Sequence, residues 1–149
     1  MIHMRTEKKS GGFTLYEMMI SITIVGILSG LLFVSLFPLL DRAEFVNTAD
    51  LFKNTLRQAQ WLALTQHRSH RIKSESGNLL LQRKNNANFD TFYKEKVPAN
   101  ILISATRWPS FSAFGFAAGG TITLENEAYS TKVVVSPIGR IRQTEIERK

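Results

Sequence analysis

An α+β fold is predicted, with a long N-terminal helix packed on a mostly antiparallel β-sheet, and three observations carry the prediction. Glu17 is the only charged side chain between Phe13 and Leu40, which gives an apolar stretch of helical length. Phe45, Ala49, Phe52, Leu56, Ala59 and Ala63 then recur at spacings of three and four residues, the mark of one helix face. Beyond His67 the pattern shifts to short apolar runs punctuated by turn residues, the mark of strands. One long helix feeding antiparallel strands is an α+β arrangement. At 149 residues the chain suits one compact core with an appendage.

Composition divides the chain into four regions: a polar leader over residues 1–12, an apolar helix over 13–40, an amphipathic continuation of that helix over 41–66, and a β-sheet domain over 67–149. In the apolar helix, residues 18–37 form a run of twenty without a charge. At about 1.5 Å per residue this run spans roughly 30 Å, the thickness of a bilayer's hydrocarbon core. A membrane-spanning helix is therefore expected. A cleaved secretory signal would have a shorter apolar core ending in small residues, whereas this core runs to Pro38 and Asp41. Arg5, Lys8 and Lys9 on the short N-terminal flank favour a cytoplasmic N-terminus, so residues 67–149 are expected outside the membrane.

The amphipathic continuation places Asp41, Lys53, Asn54, Arg57 and Gln60 mostly away from its apolar stripe, and Pro38 is the one interruption between the two helical segments. In the β-sheet domain, residues 68–73 and 79–84 flank Ser76, Gly77 and Asn78 and read as a hairpin, while residues 85–90 read as loop. Extended segments are expected near residues 92–94, 101–105, 111–114, 121–124, 131–135 and 140–143. Trp108, Phe111, Phe114 and Phe116 are expected to pack the sheet against the helix. Gly139 and Arg140 read first as a turn and an edge-strand charge, with a subunit contact as the alternative.

The chain has no cysteine, which excludes disulfides and thiolate metal sites. His67 and His70 lie three apart without further ligands of suitable type nearby, so a solvated polar turn is expected there and no metal site or cofactor. No phosphate-cradling glycine loop, zinc-protease motif or nucleophile elbow occurs, and no enzyme activity is expected. The net charge of +7 favours anionic partners. Arg68, Arg71, Lys73, Arg83 and Lys84 cluster around the first hairpin, where they can contact DNA phosphates; solvated strand faces carry the same residues.

The order of residues at the start carries a resemblance. A basic leader, Gly12, Phe13, Thr14, Leu15, any residue, Glu17 and an apolar helix together resemble the signal of type IV pilins and pseudopilins, with Tyr16 where an aliphatic residue is commoner. The resemblance implies cleavage between Gly12 and Phe13 by a prepilin peptidase and N-methylation of Phe13. It also implies single-pass residence in the cytoplasmic membrane, then assembly with other major and minor pilins into a surface fibre. In such fibres Glu17 would meet the N-terminal amine of a neighbouring subunit. Physical chemistry agrees with those residue types: an acid near a helix N-terminus is favoured by about 0.3–1 kcal/mol. A carboxylate at mid-bilayer costs on the order of 3 kcal/mol. A paired amine would offset that cost.

The tail, FGFAAGG then TITL then VVVSPIGRIR, resembles the C-terminal half of GspH/FimT-like minor pilins. The lack of cysteine, the helix ending LFPLLDR and the terminal IERK resemble the ComGD-like minor pilins of Gram-positive competence systems, which implies a role in DNA uptake during transformation. Minor pseudopilins of type II secretion systems or of motility pili share the same leading features. A membrane-anchored binding module that keeps its leader and never polymerises is the reading from a different class.

Overall fold

The computed structural model describes residues 12–86 and 88–149, with only the backbone considered at residues 34–36. All of the expected leader except Gly12 lies outside the described residues. The chain divides into two compact units, Met1–Leu40 and Asp41–Lys149. Helix α1 runs from Leu15 to Gln66 and contains Pro38. Because proline has no N–H, one carbonyl a turn earlier loses its helical partner at that point. The helix stops at His67, whose φ of 50° places it in the left-handed region that commonly ends helices.

Among the described residues ten strands follow in chain order: β1 His70–Glu75, β2 Asn78–Asn85, β3 Asn88–Lys96, β4 Leu102–Ala105, β5 Ser110–Phe111, β6 Ala117–Ala118, β7 Gly120–Glu125, β8 Tyr129–Val135, β9 Ile141–Gln143 and β10 Glu147–Arg148. They form two sheets, one ordered β3-β2-β1-β5-β6 and the other β10-β8-β7-β4 with β9 also on β8. Every pairing among the described residues is antiparallel. The α+β architecture expected from sequence is the one observed, with the strands divided between two sheets.

The second unit is organised by the helix stripe. Phe45, Ala49, Phe52, Leu56, Ala59 and Ala63 are all buried, and they share one core with Ile72, Leu79 and Leu81 from the first sheet and Ile122, Leu124, Val133 and Val135 from the second. Each large apolar side chain so buried contributes on the order of 1.5–3 kcal/mol. Alanines at 49, 59 and 63 are interspersed with the larger residues, which lets both sheets approach the helix.

Local chemistry sets the turns. Ser76 and Gly77 both have positive φ, 51° and 71°, which makes the β1–β2 connection a two-residue turn whose twist suits a hairpin. Gly139 has φ 83°, and its N–H donates to Ser136 O at 2.9 Å to close the β8–β9 turn. A side chain at Gly139 would also lie 2.6 Å from Gln60 Nε2, so only glycine fits.

Three expectations are corrected. The stretch 85–90 is loop only around Asn86, whose φ is 51°; β3 has already begun at Asn88, and Phe89 pairs with Lys84. Composition hid the strand because its asparagines flank a tight turn. Phe111 is core, and Trp108 packs against the core half-buried, but Phe114 and Phe116 are exposed, because Gly115 with φ 84° turns the chain out between them. His70, expected in a solvated turn, is fully buried.

His70 pairs across the hairpin with Arg83, its ring meets Phe92 edge-on at 5.7 Å, and its Nδ1 donates to Arg68 O at 2.9 Å. Burial lowers its pKa below the ordinary 6.5; the backbone bond to Arg68 opposes this, and the Arg83 charge adds to it. A histidine kept neutral by the fold contributes stability above its unfolded pKa, and this is lost as pH falls below that value toward the folded pKa. Chemical denaturation of the protein is therefore expected to show stability falling as pH drops below about 6.5, and a His70→Leu variant to lose that dependence.

Candidate processing and assembly site

Gly12 and Phe13 are exposed and precede the helix without regular structure. Thr14 then starts α1. Its Oγ1 accepts the Glu17 N–H at 3.2 Å, and its carbonyl accepts the Met18 N–H at 3.2 Å, the two bonds of an N-cap. Glu17 is the acidic residue of the first turn, so its carboxylate sits where the helix dipole favours negative charge. Phe13 and Glu17 are thereby held about one turn apart at a defined helix start. Thr14 enters the sequence reading only as a member of the motif; the structure adds its role as the helix cap. Its signal was present as Thr-x-x-Glu, the spacing of a capping box.

From Leu15 onward the first unit exposes its apolar side chains: Leu15, Met19, Ile22, Val25, Leu28 and Leu31 have no cover. Two of its hydroxyls are satisfied within the helix. Ser21 Oγ donates to Glu17 O and Thr23 Oγ1 to Met19 O, both at 2.8 Å, so the hydroxyls meet the helix's own carbonyls. Gly26 and Gly30, four apart, leave open space beside the helix. The segment is long and apolar enough to cross a membrane. It also offers, unchanged, a surface for other apolar helices.

The five basic residues of the first hairpin are divided by the sheet. Arg71 stacks over the Phe89 ring at 3.7 Å from its centroid, and its Nε donates to Gln82 Oε1 at 2.8 Å. Lys73 pairs with Glu75 at 2.9 Å. Arg83 lies opposite His70, and its Nε is buried without a protein partner. Arg68 and Lys84 border a shallow cleft with Ser69, Asn85 and Asn86. Strand alternation thus gives this sequence cluster more than one environment. Among the described residues no group of histidines and carboxylates could hold a metal ion.

Comparison with known proteins adds to this geometry. Residues 8–33 match the family described as the prokaryotic N-terminal methylation motif. No curated protein matches the chain by sequence. Among solved structures, the minor pseudopilin EpsH from the type 2 secretion system of Vibrio cholerae aligns with a TM-score of 0.60 at 9% identity, over 68% of this chain and 96% of that one. The type IV minor pilin FimU of Pseudomonas aeruginosa aligns with a TM-score of 0.61 at 16% identity, over 70% of this chain and 91% of that one. The chain thus joins a prokaryotic N-terminal methylation motif to a type IV pilin-like fold similar to those of EpsH and FimU.

Proposed function

We propose that the protein is a minor pilin, or pseudopilin, of a DNA-uptake machine, and that its function is assembly. The observation that carries the reading is the methylation motif at residues 8–33, set on a capped, uncovered apolar helix that continues into a type IV pilin-like domain. A prepilin peptidase cuts between Gly12 and Phe13, the new amine of Phe13 is methylated, and the subunit resides in the cytoplasmic membrane with its N-terminus inside until it is extracted. Glycine suits the cut, because a backbone without a Cβ enters a protease cleft with least hindrance. Cutting removes the basic leader and creates a cation beside a helix N-terminus, where a carboxylate such as Glu17 of a neighbouring subunit is a favourable partner. Helix packing between subunits then replaces lipid around the apolar segment.

The competence assignment rests on the resemblance of the tail and helix end to ComGD-like minor pilins. The fold is equally compatible with a subunit of a type II secretion system or a motility pilus, as the likeness to EpsH illustrates. Deleting the gene and scoring both transformation and fibre assembly separates these. Loss of DNA uptake by at least tenfold with loss of fibres is the expected result. Normal transformation with failed protein export would assign the subunit to secretion. Direct DNA contact by Arg68, Arg71, Lys73, Arg83 and Lys84 would instead appear as intact fibres that fail to capture DNA.

A further inference from the structure

The second unit is chemically polarised along its helix. At the end near Gln66, three segments converge on one exposed apolar surface. Gly115 approaches the helix so closely that a Cβ would lie 3.0 Å from Leu64 Cδ2, Gln60 Nε2 donates to Gly139 O at 3.1 Å, and the Ala117 N–H donates to Pro137 O at 2.9 Å. On this framework stand Trp61, Leu64, Phe114, Phe116 and Ile138, with Phe114 84% and Ile138 74% exposed. Large uncovered residues gathered at one place mark a contact surface.

Charge at this end is one-sided. Residues 58–66, 106–120 and 134–142, which supply the helix end, loop and turn, contain no aspartate or glutamate. Arg107 and Arg140 are exposed there and take part in none of the ion pairs among the described residues. Aromatic residues with arginine, and few lysines or acids, are the composition of protein-contact cores rather than of solvated faces.

The opposite end of the same unit has the complementary chemistry. Asp41, Asn100, Asn126, Glu127 and Ala128 line a cleft of about 190 Å³, and neither Asp41 nor Glu127 is in an ion pair among the described residues. Leu102 is exposed on the strand that follows Asn100. Asp41 and Leu64 are separated by roughly 35 Å along the helix at 1.5 Å per residue. Pairing two arginine-bearing ends would set like charges together, whereas placing that end on the carboxylate cleft of a second molecule satisfies both.

We infer that the apolar, arginine-bearing end docks head-to-tail onto the carboxylate cleft of a second copy of this chain. Such a contact is heterologous, since it uses two different surfaces, and it leaves a free end on each side, so it can extend along a fibre. The inference rests on the assembly reading, because the fibre brings copies into line. It also means that this subunit carries a neighbour on its far end.

The chain has no cysteine, so single cysteines report contacts cleanly. Full-length copies carrying Ile138→Cys and Ala128→Cys, distinguished by tags, are co-expressed and treated with a short bis-maleimide. A mixed dimer is expected, with no dimer between two Ile138→Cys copies, and Phe114→Glu in the Ile138→Cys copy is expected to reduce the mixed dimer at least tenfold. Crosslinking only between like positions, or a mixed dimer indifferent to Phe114→Glu, overturns the docking. So does Phe114-dependent binding to phosphatidylglycerol vesicles without the mixed dimer, which would make a membrane the occupant. The intact mass of the same copies separates this inference from the assembly reading. Copies lacking residues 1–12 without the mixed dimer sink the docking alone. Copies that keep the leader yet form the mixed dimer sink the pilin reading and leave the docking surface standing, and copies that keep it without the dimer sink both.

Discussion

Glu17→Val is expected to leave leader removal unchanged and to lower incorporation into fibres by roughly two to three orders of magnitude. Glu17 lies beyond the cut, in a helix turn closed by Thr14, and valine keeps the segment apolar, so the peptidase meets the same residues on either side of its bond. The loss comes later. If subunits pack through their uncovered helices as proposed, the Phe13 amine of each would be carried toward an apolar core, and without Glu17 it would have no carboxylate to meet. Removing one partner of a buried charge pair costs roughly 3–5 kcal/mol. Each 1.4 kcal/mol is about a factor of ten in an equilibrium. Immunoblots of sheared fibres against membranes measure the ratio, and Glu17→Asp, which keeps the charge on a shorter arm, is expected to fall between. Normal incorporation of Glu17→Val would remove charge pairing from the account.

Several parts of this fold could be read from sequence because one physical rule governed each. The stripe from Phe45 to Ala63 obeys helical spacing, and every member of it is buried. The first hairpin follows from a turn sequence between two strand-like runs, and Ser76 and Gly77 adopt the positive φ that such a turn needs. Where two rules competed, the reading failed. Aromatic residues favour strands, yet Gly115 redirects the chain between Phe114 and Phe116, and local backbone geometry prevailed over propensity. Histidine is often solvated, but His70 shares a strand face with Ile72, and alternation carried it inward.

The candidate site divides in the same way. Gly12, Phe13 and Glu17 are contiguous in sequence, so their relation is local and legible. The surface made by Trp61, Phe114 and Ile138 joins three distant segments, and only the packing of Gly115 and Gly139 against the helix brings them together. The basic cluster near the hairpin was legible as charge but not as geometry, since proximity in sequence says nothing of whether Arg83 turns toward His70 or toward solvent.

The central claim is that this chain is processed as a pilin, and processing is all-or-none. Gly12 is exposed and lies outside regular structure, two residues before the Thr14 cap, so the bond to Phe13 is open to a peptidase. A larger residue at Gly12 is expected to keep the leader on, because its Cβ would crowd the cleft that glycine enters. With the leader retained, Arg5, Lys8 and Lys9 are expected to hold the N-terminus at the cytoplasmic face. No amine then forms beside Glu17, and assembly fails along with cleavage. The direct measurement is the intact mass of the protein recovered from membranes and fibres. A species beginning at Phe13, lacking residues 1–12 and carrying one added methyl group on its amine, is the predicted result. A species that still begins at Met1, in cells where the peptidase is active, would contradict it.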